Sequence, residues 1–248
     1  ITGKKMVGGV AGYINTVSSV TSCNSTGTVT GENMVGGVVG QVNGGKVENC
    51  YSAGIVTGNQ YAGGVVGYIM SQNARITNCY STSKVIGNQD TDNQDTDNQD
   101  IGGIVGCISY DTSVTNCYST GTIIGEKYVG GVAGYADRRA NVSNCYSIGA
   151  ITGEEYVGGV AGYIELQGSL KNCVALNPSI SGKKDIGRVV GCNNGTLSAN
   201  ASFSYMQVIE NGNTKDTTCN EADINGVNID IAEIKADGTL GGRFIADN

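Results

Sequence analysis

Val35-Gly36-Gly37-Val38-Val39-Gly40 and, a little further on, Asn49-Cys50-Tyr51-Ser52 are the two stretches that decide the fold, because both recur along the chain. The first has counterparts at residues 7–12, 62–67, 101–106, 129–134 and 157–162, and a decayed copy, Ile186-Gly187-Arg188-Val189-Val190-Gly191, at 186–191. The leading glycines fall at 8, 36, 63, 102, 130, 158 and 187, so the intervals are 28, 27, 39, 28, 28 and 29 residues. The second element returns at residues 78–81, 116–119 and 144–147, with weaker versions at 22–25 and 172–175. After the second element, and before the next copy of the first, comes a β-branched run such as Thr28-Val29-Thr30 or Thr122-Ile123-Ile124. A unit of this size is too thin to bury its own apolar face, so successive units must stack on one another.

The expected architecture is therefore all-β, a parallel β-helix or β-solenoid of about seven coils of ~28 residues, with three short strands per coil and a small C-terminal cap. The central residue of the β-branched run, Val29, Val56, Val85, Ile123 and Ile151, is expected to point inward. The 39-residue interval has a simple reading. Ten residues removed from 87–103 leave Gly-Asn-Gln-Asp-Ile-Gly-Gly, which matches Gly58-Asn59-Gln60-Tyr61-Ala62-Gly63-Gly64. The insert, in the turn at 88–100, is two extra pentads. Solenoid repeats are assigned to 1–197 and a cap or junction to 198–248, with a short helix expected from Ile229 that places Ile231 and Ile234 on one side.

Composition narrows the function. Forty glycines, one proline, no tryptophan and a hydrophobic share of 39% suit β structure with tight turns. A net charge of -7 without a basic cluster argues against nucleic acid as a partner. No apolar run of about 18 residues is present, so no membrane-spanning segment is expected. Histidine is absent, which excludes a His-Glu-x-x-His zinc site, a Ser-His-Asp triad and a Cys-His dyad within this chain.

The residue types that carry chemistry fall on repeat positions. Cys23, Cys50, Cys79, Cys117, Cys145 and Cys173 share one position; a metal or redox ladder lacks Cys-x-x-Cys pairs, and in-register neighbours sit too far apart for the ~3.8 Å between Cβ atoms that a disulfide needs. Free thiols filling a narrow core are the favoured reading. Cys107 and Cys192 replace a recurrent tyrosine, and Cys219 lies in the tail. Asn49, Asn78, Asn116, Asn144 and Asn172 are expected to stack at a corner, amide on amide. Tyrosines occupy three columns: Tyr13, Tyr68, Tyr135 and Tyr163; Tyr51, Tyr80, Tyr118 and Tyr146; Tyr61, Tyr128 and Tyr156. They pack corners or offer aromatic faces to sugar rings. Asp90, Asp92, Asp95, Asp97 and Asp100 in the insert have Asp-x-Asp spacing that suits calcium, yet lack the fixed glycine and terminal Glu of a calcium loop. Glu126, Glu154 and Glu155 occupy a turn where other coils carry Lys4-Lys5 or Lys183-Lys184, the mark of a solvated turn rather than a catalytic pair. No catalytic, cofactor-binding or metal-ligating residue is assigned, and no cofactor is expected.

The Gly-Gly-Val-Val/Ala-Gly core followed by Asn-Cys-Tyr-Ser and a Gly-x-Val-x-Gly turn resembles the GLUG-motif repeat family, over about residues 1 to 192. The resemblance implies a bacterial protein that is secreted or at the cell surface, adhesin-like, with host or matrix glycans or proteins as partners. It carries no catalytic residues across. The expected function is non-catalytic: adhesion, ligand presentation or a spacer. The alternative is the repeat portion of a larger secreted hydrolase, a peptidase or a glycan-degrading enzyme. The variable segments 14–21, 42–47, 69–77, 108–115, 136–143 and 164–171 all follow the Gly-Gly element and are expected along one edge, where recognition resides.

Overall fold

The computed structural model describes residues 1–88, 99–217 and 223–230, and over them the chain is an all-β parallel solenoid. The second coil shows the plan, with strands Asn33–Gly36, Val39–Asn43, Lys46–Glu48, Tyr51–Ser52 and Ile55–Gly58. All three extended runs expected in each coil are present. The glycine pair bends the first run and the asparagine corner bends the second, which leaves five short strands per coil. Each strand pairs in parallel with its counterparts in the coils before and after, so five sheets run along the rod. Each sheet holds seven parallel strands, so seven coils are complete; the two sheets of eight add Val227–Ile229, which begins another coil, and the antiparallel Asn213–Thr214.

Register follows the repeat residue for residue. Val35 stands between Val7 and Ala62, Val56 between Val29 and Val85, and Tyr80 between Tyr51 and Tyr118. The long interval leaves this register intact, since Tyr61 pairs with Asp100 and Gly63 with Gly102. Within the insert, Asp90, Asp92, Asp95 and Asp97 lie outside the described residues.

The interior is built from columns of β-branched side chains. Val29, Val56, Val85, Ile123, Ile151, Ile180 and Val208 are all within 1% of full burial, as the central position of the β-branched run requires. Val47, Ile76, Val114, Val142 and Leu170 form a second column, and the cysteines a third. Each fully buried Val or Ile contributes roughly 1.5–3 kcal/mol, and stacking lets each residue share that burial with both neighbouring coils.

The core is thin because its two motifs touch across it. A Cβ on Gly37 would lie 2.1 Å from Ser52 Oγ and 2.1 Å from the Gly64 carbonyl oxygen. The same relation joins Gly64 to Ser81, Gly103 to Ser119 and Gly131 to Ser147. The second glycine of Gly-Gly and the serine of Asn-Cys-Tyr-Ser are thus one contact, repeated up the rod. At the corner before each cysteine the chain turns through the left-handed region, with φ of 54°, 55°, 55°, 53° and 54° at Asn49, Asn78, Asn116, Asn144 and Asn172. Asparagine tolerates that conformation better than other residues with a side chain. Its amide then bonds the asparagine one coil before: Asn78 Nδ2 donates to Asn49 Oδ1 at 3.3 Å, Asn116 to Asn78 at 3.3 Å and Asn172 to Asn144 at 2.7 Å.

The parallel ladders run on past residue 197, where the repeat fades in sequence. Ala201–Phe203 and Gln207–Glu210 complete the seventh coil, and Val227–Ile229 begins the next, so Ile229 belongs to a strand rather than to a helix start. Ile231 and Ile234 lie outside the described residues. Two substitutions in the motifs mark this end. Asn200 takes the cysteine position and accepts the Cys173 backbone N–H at 2.9 Å. Arg188 takes the second-glycine position, and its buried guanidinium donates to the Ser202 and Phe203 carbonyls and to Asn228 Oδ1.

The Gly–Ser contact makes a prediction. Gly131→Ala, whose Cβ would meet Gly159 O and Ser147 Oγ at 2.1 Å each, is expected to lower unfolding free energy by at least about 2 kcal/mol in urea titration. Gly27→Ala, with nothing within 4 Å of the new Cβ, is expected to change it by no more than about 0.5 kcal/mol.

Candidate functional site

Two columns of side chains run side by side on the outer surface of the first two sheets. The first, on the strands from Lys5–Gly8 to Lys184–Gly187, reads Met6, Met34, Tyr61, Asp100, Tyr128, Tyr156, Asp185. The second, on the strands from Ala11–Asn15 to Val190–Asn193, reads Tyr13, Gln41, Tyr68, Cys107, Tyr135, Tyr163, Cys192. The residue after each first-column position is buried, as at Val7, Val35, Ala62, Ile101, Val129, Val157 and Ile186, and Met6, Met34, Tyr128, Tyr156 and Asp185 take their places through a left-handed backbone, with φ of 50° to 57°.

Where both columns hold tyrosine, the rings close on one another. Tyr135 and Tyr163 stack at 5.2 Å with parallel planes, and Tyr128 and Tyr156 stack at 4.9 Å. Across the columns, Tyr128 meets Tyr135 edge-on at 5.2 Å and Tyr156 meets Tyr163 edge-on at 5.6 Å. In the third coil Tyr61 lies face to face with Tyr68 at 4.9 Å. The fourth coil, between these blocks, has no ring in either column. Asp100 and Cys107 stand there instead, and the missing volume is a cavity of about 260 Å³ walled by Tyr61 and Tyr68 on one side and Tyr128 and Tyr135 on the other. Asp137, from the loop after the strand Ala133–Ala136, closes one edge.

Asp100 is 3% exposed, and its Oδ1 has no hydrogen-bond partner. No ion pair within 4.0 Å reaches it among the described residues. Burial pushes its carboxyl up to about 7, against the opposing pull of the Cys107 thiol, which donates to it, and of the Lys127 ammonium. Burial likewise holds the Cys107 thiol well above its usual range, with the Asp100 carboxylate adding to the effect. Burial also raises the phenols that wall the cavity: Tyr61, Tyr68, Tyr135 and Tyr128, the last to about 12. All four are neutral at physiological pH. The cavity therefore combines aromatic walls, hydroxyl rims and one buried carboxyl group poised between its two charge states.

The remaining sequence-level candidates take structural places. The asparagine column is the corner ladder described above. The cysteine column is interior: Cys50, Cys79, Cys117, Cys145 and Cys173 are within 1% of full burial and all are free thiols. The sulfurs of Cys50, Cys79, Cys117 and Cys145 each accept the backbone N–H of the cysteine one coil before, as in Cys50 N–H to Cys79 Sγ at 3.4 Å, and all five thiols donate to the carbonyl two residues earlier. Tyr51, Tyr80, Tyr118 and Tyr146 form an uninterrupted stack, with centroids 4.9, 5.1 and 4.9 Å apart and planes within 5°. Glu154 and Glu155 pair across coils with Lys183 and Lys184, and Glu32 lies 3.9 Å from Lys4, as suits a solvated turn. Among the described residues no group of three or more His, Cys, Asp or Glu is placed to hold a metal ion.

The variable segments stack along the edge between the second and third sheets. Asn73, Asp111, Arg139 and Gln167 occupy matching loop positions, each with positive φ. Arg139 bridges to Asp111 at 2.8 Å and lies over the Tyr110 ring at 4.1 Å. This edge adjoins the tyrosine face, because Tyr135 donates its hydroxyl to Glu165 at 2.7 Å and Asp137 borders the cavity. Sequence reasoning named Cys107 as a lost tyrosine and Asp100 as part of an acidic insert, but did not combine them. The signal was present, since matching 87–103 to the preceding coil aligns Asp100 with Tyr61.

Fold and face together define a parallel β-solenoid of stacked 28-residue coils with columns of aromatic side chains on its surface. Four stretches, residues 31–57, 58–86, 97–124 and 125–152, match the model of the GLUG motif, so this part of the chain is built of GLUG-motif repeats. A "putative immunoglobulin A1 protease" from Bacteroides ovatus has a similar solved structure, with a TM-score of 0.60 and 22% sequence identity over 88% of this chain and 70% of that one. At that identity the likeness is one of fold. No curated protein matches the sequence.

Two measurements test the electrostatic and packing account of the site. Folded Asp100 keeps its proton up to about 7 while an ordinary aspartate carboxyl loses it near 3.8, so the folded state holds more protons in between. Its contribution to stability is then full below pH 4 and is lost as pH rises through 7, by no more than about 1.4 kcal/mol per pH unit. Relative to the wild type, Asp100→Asn is expected to gain stability steadily from pH 4 to pH 7 and to hold that gain above. A difference that does not change with pH contradicts the account. A thiol-specific reagent is expected to modify Cys23 and Cys192, the partly exposed thiols, in the native protein and to reach the five buried ladder cysteines only on unfolding.

Proposed function

We propose that this chain is a non-catalytic, ligand-presenting segment of a bacterial protein that is secreted or held at the cell surface. The observation that carries the reading is the break in both tyrosine columns at the fourth coil. A regular scaffold that served only as a spacer has no need of a cavity holding a buried carboxyl oxygen without a partner, since such a group costs roughly 1–3 kcal/mol to keep. The stacked variable loops border that cavity, so scaffold, pocket and variable edge form one continuous surface. The GLUG-motif repeats and the absence of histidine support the same reading.

Host or matrix glycans and proteins are the partners to screen. In a panel of immobilised glycans and matrix proteins, saturable binding of the wild-type chain to at least one component is expected, weakened about tenfold or more by Tyr135→Ala, which removes one cavity wall. A panel without any saturable binding would leave the spacer role and remove ligand presentation.

The fold likeness to the Bacteroides ovatus protein favours a second reading, in which these repeats position the catalytic domain of a larger secreted hydrolase. A peptidase or glycosidase domain in the same complete reading frame would establish it.

A further inference from the structure

We propose that the gap in the tyrosine columns binds a small organic cation, an alkylammonium group, seated between Tyr61, Tyr68, Tyr128 and Tyr135 with its charge toward Asp100. The proposal rests on the ligand-presenting reading above and names the chemistry of its ligand. Four features of the cavity point the same way. Its lining carries two carboxyl groups, Asp100 and Asp137, and no basic side chain. Its walls are four phenol side chains, and an aryl face turned to the cavity attracts a cation, the more so where water is excluded. The floor carboxylate has an unused acceptor oxygen at 3% exposure, a group that an incoming cation would satisfy. The volume of about 260 Å³ suits one compact group rather than a chain of sugar rings.

The surrounding charges sharpen the expectation. The titratable and charged groups facing Asp100 are Tyr61 and Tyr68 from the third coil, Cys107 on its own coil, Tyr128, Lys127 and Tyr135 from the fifth, and Asp137 from the loop that follows. The Lys127 ammonium lies 5.3 Å from the Tyr128 ring and forms no ion pair with Asp100, which leaves the carboxyl group available to a ligand. A bound cation favours ionised Asp100, so affinity is expected to rise with pH up to about 7 and level off above it.

The seventh coil supplies an internal control. It repeats the same pair, with Asp185 and Cys192 in the two columns. There the tyrosines Tyr156 and Tyr163 stand on one side only, and Asp185 lies 3.6 Å from the Lys184 ammonium. An aspartate and a cysteine in the columns do not suffice; the tyrosine blocks on both sides make the cavity.

The chain contains no tryptophan, so its intrinsic fluorescence reports tyrosine directly. The test is a fluorescence and calorimetric titration of the whole chain at pH 8 with choline, with methylammonium, with glucose and with potassium chloride. Saturable binding of choline or methylammonium is expected, with a dissociation constant on the order of a millimolar or below. Asp100→Asn is expected to weaken it about tenfold or more, and Cys107→Tyr, which restores the ring found in neighbouring coils, to abolish it. Asp185→Asn is expected to leave it unchanged. The circular dichroism of each variant checks that the solenoid is intact. Absence of saturable binding by both ammonium probes overturns the proposal, as does binding that Cys107→Tyr leaves intact or glucose binding of equal strength. Failure here with persistent binding in the glycan and matrix panel would reject the cation and keep the ligand-presenting role.

Discussion

The close approach of the second motif glycine to the motif serine across the core governs the rest of the structure. With hydrogen at one wall and a hydroxymethyl group at the other, the coil flattens until the β-branched columns meet and exclude water. Any larger residue at the glycine pushes the walls apart in its own coil and in the coils that share its burial. That is why the two motifs persist together through coil after coil. The exception at Arg188 proves the geometry from the other side: where the glycine is lost, the new side chain crosses the interior and ends on carbonyls near the last coil.

Because the scaffold repeats, the outer face is a register of departures from the rule. Tyrosine closes the surface in coils five and six by stacking along the columns and meeting edge-on across them. Replacing two rings in one coil by a carboxyl and a thiol removes a block of that surface without disturbing the ladders beneath, since Ile101 and Gly102 keep their partners on both sides. The cavity is thus carved by substitution at fixed positions rather than by rearrangement of the backbone. Its carboxyl group is left in the environment that two rings would have filled, and burial accounts for its hold on the proton.

The fold was legible because periodicity is a long-range signal carried by local residues. The recurrence of Gly-Gly and Asn-Cys-Tyr-Ser set the number of coils, the register and the ladders of cysteine, asparagine and tyrosine, including the buried centre of each β-branched run. Three features were not readable that way. The split into five strands depends on bends at Gly-Gly and at the asparagine corner, which a count of extended runs does not register. The end of the solenoid was placed at 197 because the motifs fade there, yet hydrogen bonding continues with Asn200 and Arg188 in place of the usual residues, a substitution of chemistry that preserves shape. The cavity needed two columns to be seen together, and strands adjacent around one coil are separated in sequence by the glycine bend. Asp100 also drew its first reading from the acidic pentads beside it, although its place in the repeat is a tyrosine's.

The asparagine corners have a consequence for symmetry. The amide bonds of that column run from one coil to the coil before it, and every described strand of the five sheets except Asn213–Thr214 points the same way, so the rod is polar from end to end. Two copies that continue the parallel ladders must meet head to tail, whereas a two-fold axis would join like ends through antiparallel pairs. Near the far end, Asn213–Thr214 pairs antiparallel with Gln207–Glu210. That one reversed strand presents the next copy with an edge of the wrong polarity, and so works against open-ended fibre growth along that sheet.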